Sequence, residues 1–337
     1  MSTLQTLLVT GANGFVGTHT LKWLSQQPNI RLIAACRDKT KLYTGYTGEV
    51  REGDMRDSQY VSSLLREVDV VVNAMAWSSL YGHGKESHAL FYLPVKQLIT
   101  AYENSSAVQF INLSSTAATP KQSADAHAPG VPHDFWPHMK NVINIENDLQ
   151  KLASDKKSVM NLRVGIFVGE HYALGLLPIL LPRLKTHLVP WVQGGNTPMA
   201  LIDGRDIGQA MGRAALTEGL QSYESMNVVG KTTPTVREVI TFLNAEYHYP
   251  KPHFSVPFWL AYPFAWLMEK LNPVLPWEPL IVRSIIHLLE HTFTDNDKAA
   301  ALIGYHPQYH WHDAVRRQIA EMDLHQTRAM SMVKAIE

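Results

Sequence analysis

The segment Thr10-Gly11-Ala12-Asn13-Gly14-Phe15-Val16-Gly17 constrains this chain more than any other. It lies between a β-rich run, Thr6 to Thr10, and an amphipathic helical pattern, Gly17 to Gln26. Strand, glycine turn and helix in that order suit a dinucleotide: one glycine permits the tight turn, one lets the backbone approach a pyrophosphate, and one lets the helix pack closely on the strand. The helix N-terminus favours the negative charge. Gly11, Asn13, Gly14, Phe15, Val16 and Gly17 are therefore the expected cofactor-binding loop.

Downstream, Arg31 to Cys36, Val68 to Ala74, Val108 to Leu113 and Val159 to Val164 are predicted strands alternating with helical patterns. Such runs are apolar enough for strands buried on both faces, so the expected fold class is α/β, a doubly wound parallel sheet. After Gly169 the texture changes to Pro-, Trp- and Leu-rich segments, with strand-like pieces at Met199 to Ile202 and Met226 to Val229 and helices near 206–216 and 235–246. This divides the chain into a dinucleotide-binding part, 1–169 with returning elements near 199–230, a substrate-binding cap, 170–198 and 231–325, and a tail, 326–337.

Composition closes off other classes. Thirty basic and thirty acidic residues cancel, so no whole-chain field draws in nucleic acid. Hydrophobic residues at 45% against 18% charged exclude general disorder. One cysteine, Cys36, makes no internal disulfide, which fits a cytoplasmic setting. Leu7, Leu8 and Val9 run straight into the glycine turn, so no signal peptide is expected. The longest charge-free apolar stretch, Ser255 to Met268, contains two prolines and falls short of the ~18 residues of a membrane span, which leaves a core helix or an apolar lid.

The spacing T-G-x-x-G-x-x-G resembles the extended short-chain dehydrogenase/reductase family, the NAD(P)-dependent epimerase/dehydratase-like enzymes with a Rossmann sheet and a smaller C-terminal subdomain. Further landmarks follow in order. Gly53-Asp54-Met55 resembles the segment whose aspartate contacts adenine, and Asn73-Ala74-Met75-Ala76 the end of the fourth strand, where backbone passes the cofactor. Asn161 to Gly169 resembles R-P-G-x-x-x-G with Val164 in place of proline, and Phe293 to Pro307 resembles K-A-x-x-x-L-G-Y-x-P. The resemblance thus implies cofactor contacts from Asp54, Met55, Ala74, Ala76 and Val164.

At the end of the second strand, where NAD sites usually carry an acid, stands Cys36-Arg37-Asp38. Arg37 suits a 2′-phosphate, so NADP(H) is the expected cofactor and NAD(H) the alternative; a plain Arg37–Asp38 surface pair is the competing reading.

The resemblance also implies a catalytic Ser, Tyr and Lys. Ser115, in the stretch Phe110 to Thr116 that ends a strand, matches the position that holds the substrate oxygen, and Lys140 the residue that holds the ribose. The tyrosine is missing. Trp136-Pro137-His138-Met139-Lys140 puts Trp136 in its place, and an indole N–H donates a hydrogen bond without titrating. Three readings stay open: another group supplies the proton (Tyr81, His83, His133 or His138), Ser115 and a water polarise the carbonyl, or turnover is lost and the chain is a nucleotide-binding regulator or scaffold. A non-redox epimerase or dehydratase is a further alternative.

His127, His133 and His138 with Asp125 and Asp134 match no compact metal spacing, so no metal is expected; His306, His310 and His312 read as surface or packing groups. Leu174 to Leu181 and Phe258 to Met268 are apolar enough to line a pocket or to form a core. The second resembles the matching region of the 3β-hydroxysteroid dehydrogenase and dihydroflavonol-reductase-like branches, which implies a hydrophobic hydroxy or keto substrate. Peripheral membrane contact is an alternative for that segment, and relatives suggest a homodimer. Asp206 is expected to be the N-cap or first-turn acid of a helix. The leading expectation is an NADP(H)-dependent reductase or dehydrogenase acting on a secondary alcohol or ketone.

Overall fold

The computed structural model describes residues 4–119, 135–220, 222–274, 279, 281–290 and 294–334. In chain order the strands are β1 (Gln5–Thr10), β2 (Ile30–Cys36), β3 (Glu49–Glu52), β4 (Val70–Asn73), β5 (Gln109–Ser115), β6 (Ser158–Val164), β7 (Ile166–Val168), β8 (Trp191–Val192), β9 (Leu201–Asp203), β10 (Tyr223–Val228) and β11 (Ser255–Val256). Seven form one parallel sheet in the order β10-β6-β5-β4-β1-β2-β3. β7 pairs with β9, and β8 with β11. The sheet winds in both directions from β1, so the edge beyond the carboxyl ends of β1 and β4 is where such folds bind ligands.

The helices are α1 (Phe15–Leu24), α2 (Ser58–Leu64), α3 (Gly84–Ser87), α4 (Leu93–Glu103), α5 (Pro137–Leu152), α6 (Leu176–Lys185), α7 (Gly204–Leu216), α8 (Val236–Tyr247), α9 (Phe258–Leu271), α10 (Arg283–Leu288), α11 (Asp297–Ile303) and α12 (Trp311–Lys334). A π-helical turn, His88–Tyr92, joins α3 to α4. Alternation along β1 divides the core: Leu7 and Val9 face α1 and α7, while Leu8 joins Val71 and Phe110 against α2, α4 and α5. Helix α7 lies against α1 through Gly204, Gly208 and Gly212, spaced one turn apart, which meet Phe15, His19 and Trp23 at the same spacing.

A polar ladder crosses the apolar sheet near its carboxyl end. Thr10 Oγ1 donates to Asn73 Oδ1 (3.0 Å), Asn73 Nδ2 to Asn112 Oδ1 (2.9 Å), Asn112 Nδ2 to Asn161 Oδ1 (2.7 Å) and Asn161 Nδ2 to Ser225 Oγ (3.3 Å). These residues are direct partners in the strand register, so each amide has its neighbour at hand and no buried donor in the row is lost.

One expectation changes and one is met. Ser255 to Met268 is not a core helix: α9 buries only Ala261 and Ala265, while Trp259, Leu260, Phe264, Trp266 and Leu267 are exposed. Small residues face inward because α9 packs directly on α10 and the β8–β11 pair. Asp206 is the first-turn acid of α7, as expected, and the N-cap is Asp203, whose carboxylate accepts from the Arg205 N–H. Asp206 is fully buried and accepts instead from the backbone N–H groups of Gln308 (2.8 Å) and Tyr309 (3.1 Å). Of the other apolar run, Leu177, Leu181 and Leu184 lie in a core shared with α8 and α12, and Leu174 is exposed.

Candidate active site

The glycine loop has the form its sequence demands. Gly11 has φ +63°, and a Cβ there would meet the Ala74 carbonyl oxygen at 2.6 Å, so only glycine fits between β1 and β4. Gly17 is pressed onto Gly11 and Ala12, bringing α1 close to the strand. Gly14, the N-cap of α1, supplies no capping side chain, and the first turn of α1 holds no acid, which leaves its N–H groups facing outward for an anion. A Cβ on Gly14 would meet only the Gly11 carbonyl, so the outer side of the loop is open to close approach. These residues fit a dinucleotide pyrophosphate.

Asn13 Nδ2 donates to the Asp38 carbonyl (3.1 Å), tying this loop to the end of β2. There Arg37 is exposed and forms no hydrogen bond or ion pair with the described residues. The competing Arg37–Asp38 pair does not form, because Thr40 and Lys41 take the Asp38 carboxylate. Asp54 is held by Arg56 through three contacts of 2.5 to 3.1 Å, which pull its carboxyl down to about 2. Met55 is half-buried and Ala76 exposed, whereas Ala74 and Val164 are buried.

Ser115 closes β5, and its Oγ accepts from the Ala117 N–H (3.2 Å), capping a short 3-10 turn. Beneath it, Ser114 Oγ donates to the buried Glu146, which is paired with Arg163 (2.6 Å). Lys140 is exposed one turn into α5, its backbone N–H bonded to the Trp136 carbonyl (3.1 Å). Trp136 is only 4% exposed, and its Nε1–H donates to the Ser79 carbonyl (2.6 Å). The indole therefore fastens the loop after β4 and has no second N–H for a substrate.

The other proton-donor candidates fare differently. His138 Nδ1 meets Ser87 Oγ (3.4 Å) between Trp77 and Phe91, and burial pushes its imidazole down to about 4, which holds it neutral. His83 is exposed beside Tyr81. His133, with His127, Asp125, Asp134 and Phe293, lies outside the described residues.

Sequence reasoning missed His287 and Glu290. Both are buried on or just after α10 and line a small cavity with Thr116, Ala117, Pro198 and Ala200, at the carboxyl ends of β5 and β6. Ser284, one turn before His287, donates to the Leu80 carbonyl and ties α10 to the loop that Trp136 fastens. An H-x-x-E pair at helical spacing was the available signal.

The model of the NAD dependent epimerase/dehydratase family matches residues 7–228. This chain belongs to that family. Its cofactor class is accordingly a pyridine dinucleotide, in agreement with the glycine loop. No curated protein matches the chain in sequence. Among solved structures it is similar to gox2253 (19% identity, TM-score 0.73, covering 95% of this chain and 98% of that one). It is also similar to UDP-glucuronic acid 4-epimerase from Bacillus cereus in complex with UDP-glucuronic acid and NAD (16%, 0.69, 95% and 99%). A third is UDP-glucose 4-epimerase from Thermotoga maritima with UDP-glucose (15%, 0.70, 96% and 100%). At these identities the likeness is one of fold.

Proposed function

We propose that this member of the family is an NADP(H)-dependent reductase of a ketone, or dehydrogenase of the matching secondary alcohol, on a hydrophobic metabolite. The observation that carries the reading is Arg37: an exposed guanidinium at the end of β2, beside the tethered glycine loop, with Asp38 already engaged elsewhere. A guanidinium fork suits a 2′-phosphate, whereas an acid would be needed to accept from free ribose hydroxyls. Reduced cofactor supplies hydride when bound. The chain's own residues hold it through the glycine loop and Lys140, and hold the substrate oxygen through Ser115. The apolar faces of α9 and of Leu174 support a hydrophobic substrate.

A second reading has its own support. The similar structures include 4-epimerases of UDP-sugars, and an epimerase returns its hydride to the same substrate with no net consumption of cofactor. Arg37 favours the reductase, because a phosphate-selective site suits a cofactor that arrives reduced and leaves oxidised. Titrating NADPH and NADH into wild type and Arg37→Ala separates charge recognition from general binding. The variant should lose roughly 10- to 100-fold in NADPH affinity and keep NADH affinity, about the 1.5–3 kcal/mol of a charge-assisted hydrogen bond. An unchanged NADPH/NADH ratio removes the assignment.

A further inference from the structure

Helix α9 turns its large apolar side chains away from the protein. At about 100° per residue, Trp259, Leu260, Phe264, Trp266, Leu267 and Leu271 fall with Pro263 in one arc of about 160°, and all are exposed, Trp259 at 73%. The opposite arc holds Ala261 and Ala265, packed on α10 and the β8–β11 pair. The outward face is thus more apolar than the inward one, the reverse of an ordinary surface helix, and an exposed apolar patch of this kind marks an interaction site. Phe254, just before β11, and Leu188, before β8, are exposed as well.

The charge around this face indicates what covers it. From His248 to Met268 the chain carries no acid, although acids and bases balance over the whole sequence. Glu269, the first acid after that stretch, is turned inward, where it accepts from the Arg283 backbone N–H (2.7 Å) and pairs with the Arg283 guanidinium (2.7 Å). Lys251 and Lys270 are exposed and form no ion pair with the described residues. Lys270 falls inside the apolar arc. An isologous contact with a second copy of the chain would bring apolar arc to apolar arc and bury both ammonium groups with no acid in the patch to meet them. At a bilayer surface the lysine stem instead lies along the apolar side chains while its charge reaches a lipid phosphate. Trp259 and Trp266 suit the same place, since amphipathic indole rings settle at headgroup level.

We propose that α9 docks this protein on a bilayer surface that contains anionic phospholipid, lying in the plane of the membrane with its tryptophans at headgroup level and Lys251 and Lys270 against lipid phosphates. Its 14 residues, roughly 21 Å of helix, are too short for a hydrocarbon core of ~30 Å, so the helix lies on the membrane and not across it. The proposal stands on α9 and does not depend on the reductase reading. Helix α10, on which α9 packs, lines the cavity at the carboxyl ends of β5 and β6, so a hydrophobic compound dissolved in the lipid lies one helix away from that cavity.

Flotation of the full chain at ~0.1 M salt, with vesicles of phosphatidylcholine alone and of phosphatidylcholine with about one-third phosphatidylserine, tests the face. Wild type is expected to float with the anionic vesicles. Trp259→Ser combined with Trp266→Ser should weaken binding at least ~10-fold, and Lys251→Gln and Lys270→Gln roughly fivefold each. All four side chains are exposed, so thermal unfolding should stay as in wild type. A conservative pair, Trp259→Phe with Trp266→Phe, locates the contact: it should float like wild type but lose the extra quenching of tryptophan fluorescence that brominated acyl chains produce in wild type. Wild type that stays in the aqueous fraction with both vesicles, or a serine pair that floats as well as wild type, overturns the proposal. So does quenching that survives the phenylalanine pair, which would put another face on the lipid. Equal flotation with the two vesicle types overturns the headgroup assignment. A wild-type dimer that the serine pair splits, with no flotation, overturns the proposal in favour of contact between copies. None of these outcomes bears on the cofactor.

Discussion

At single residues, the structure separates groups that hold the site together from groups able to act in it. Asp206 belongs to the first kind. Its carboxylate fastens the backbone of Gln308 and Tyr309 to α7, yet burial pushes its pKa up from 3.8 to about 6 despite the two N–H donors. A carboxyl raised in the folded state binds its proton more tightly there than in the unfolded chain. Its ionisation therefore costs stability above pH 6, and the cost is relieved as pH falls from about 6 toward 4. Between pH 7 and pH 5, wild type should gain about 1 kcal/mol relative to Asp206→Asn, read by urea unfolding at the two pH values. A difference that is flat or of opposite sign contradicts the assignment. Trp136 belongs to the same kind, and only the structure could say so. The sequence showed an indole where a phenol belongs, but not that the Ser79 carbonyl had claimed its N–H.

Among the elements, the Thr10–Asn73–Asn112–Asn161–Ser225 ladder carries a cost that apolar strands do not. Removing its middle member leaves a donor on Asn73 and an acceptor on Asn161 unpaired in a buried row, at ~1–3 kcal/mol each. Asn112→Leu is expected to lower unfolding free energy by about 3 kcal/mol, and a loss under ~0.5 kcal/mol would show the ladder to be incidental. Helix contact gives a second case. A methyl group on Gly208 would run into the main chain of His19, which has no rotamer to yield, so Gly208→Ala should destabilise by roughly 2 kcal/mol although alanine is the better helix former. A neutral or stabilised variant in thermal unfolding refutes that packing.

The strands of the main sheet were legible because short, near-continuous apolar runs between helical patterns leave few alternatives. β1, β2, β5 and β6 lie within two residues of their expected bounds. Helix α9 was not legible in this way. Its first eleven residues, Phe258 to Met268, carry no charge, so periodicity could not tell which side faces inward; the alanines do, since α10 and β8 approach too closely for tryptophan.

Over the whole molecule, the C-terminal segments fasten onto the end of the sheet. Tyr305 donates to the Val229 carbonyl (2.9 Å) and Asn296 brackets both polar groups of the same residue, so the C-terminal signature is a clasp on the end of β10. No helix among the described residues is long and apolar enough to cross a membrane. The positions of the glycine loop, Ser115 and Lys140 in the fold were readable because each is fixed by local sequence at a strand or helix end. His287 and Glu290 were not, because their place beside Ala117 depends on a long-range contact between α10 and the β5 turn. The proposed reaction draws on the glycine loop and Ser115 together, and its stoichiometry tests the account most directly. Purified protein is incubated with NADPH and 2-decanone, and the alcohol formed is counted against the NADPH consumed. One alcohol per NADPH, over many turnovers and with NADH much the poorer donor, is expected. No net NADPH consumption, while the protein isomerises or dehydrates a UDP-sugar on a cofactor it retains, would contradict it.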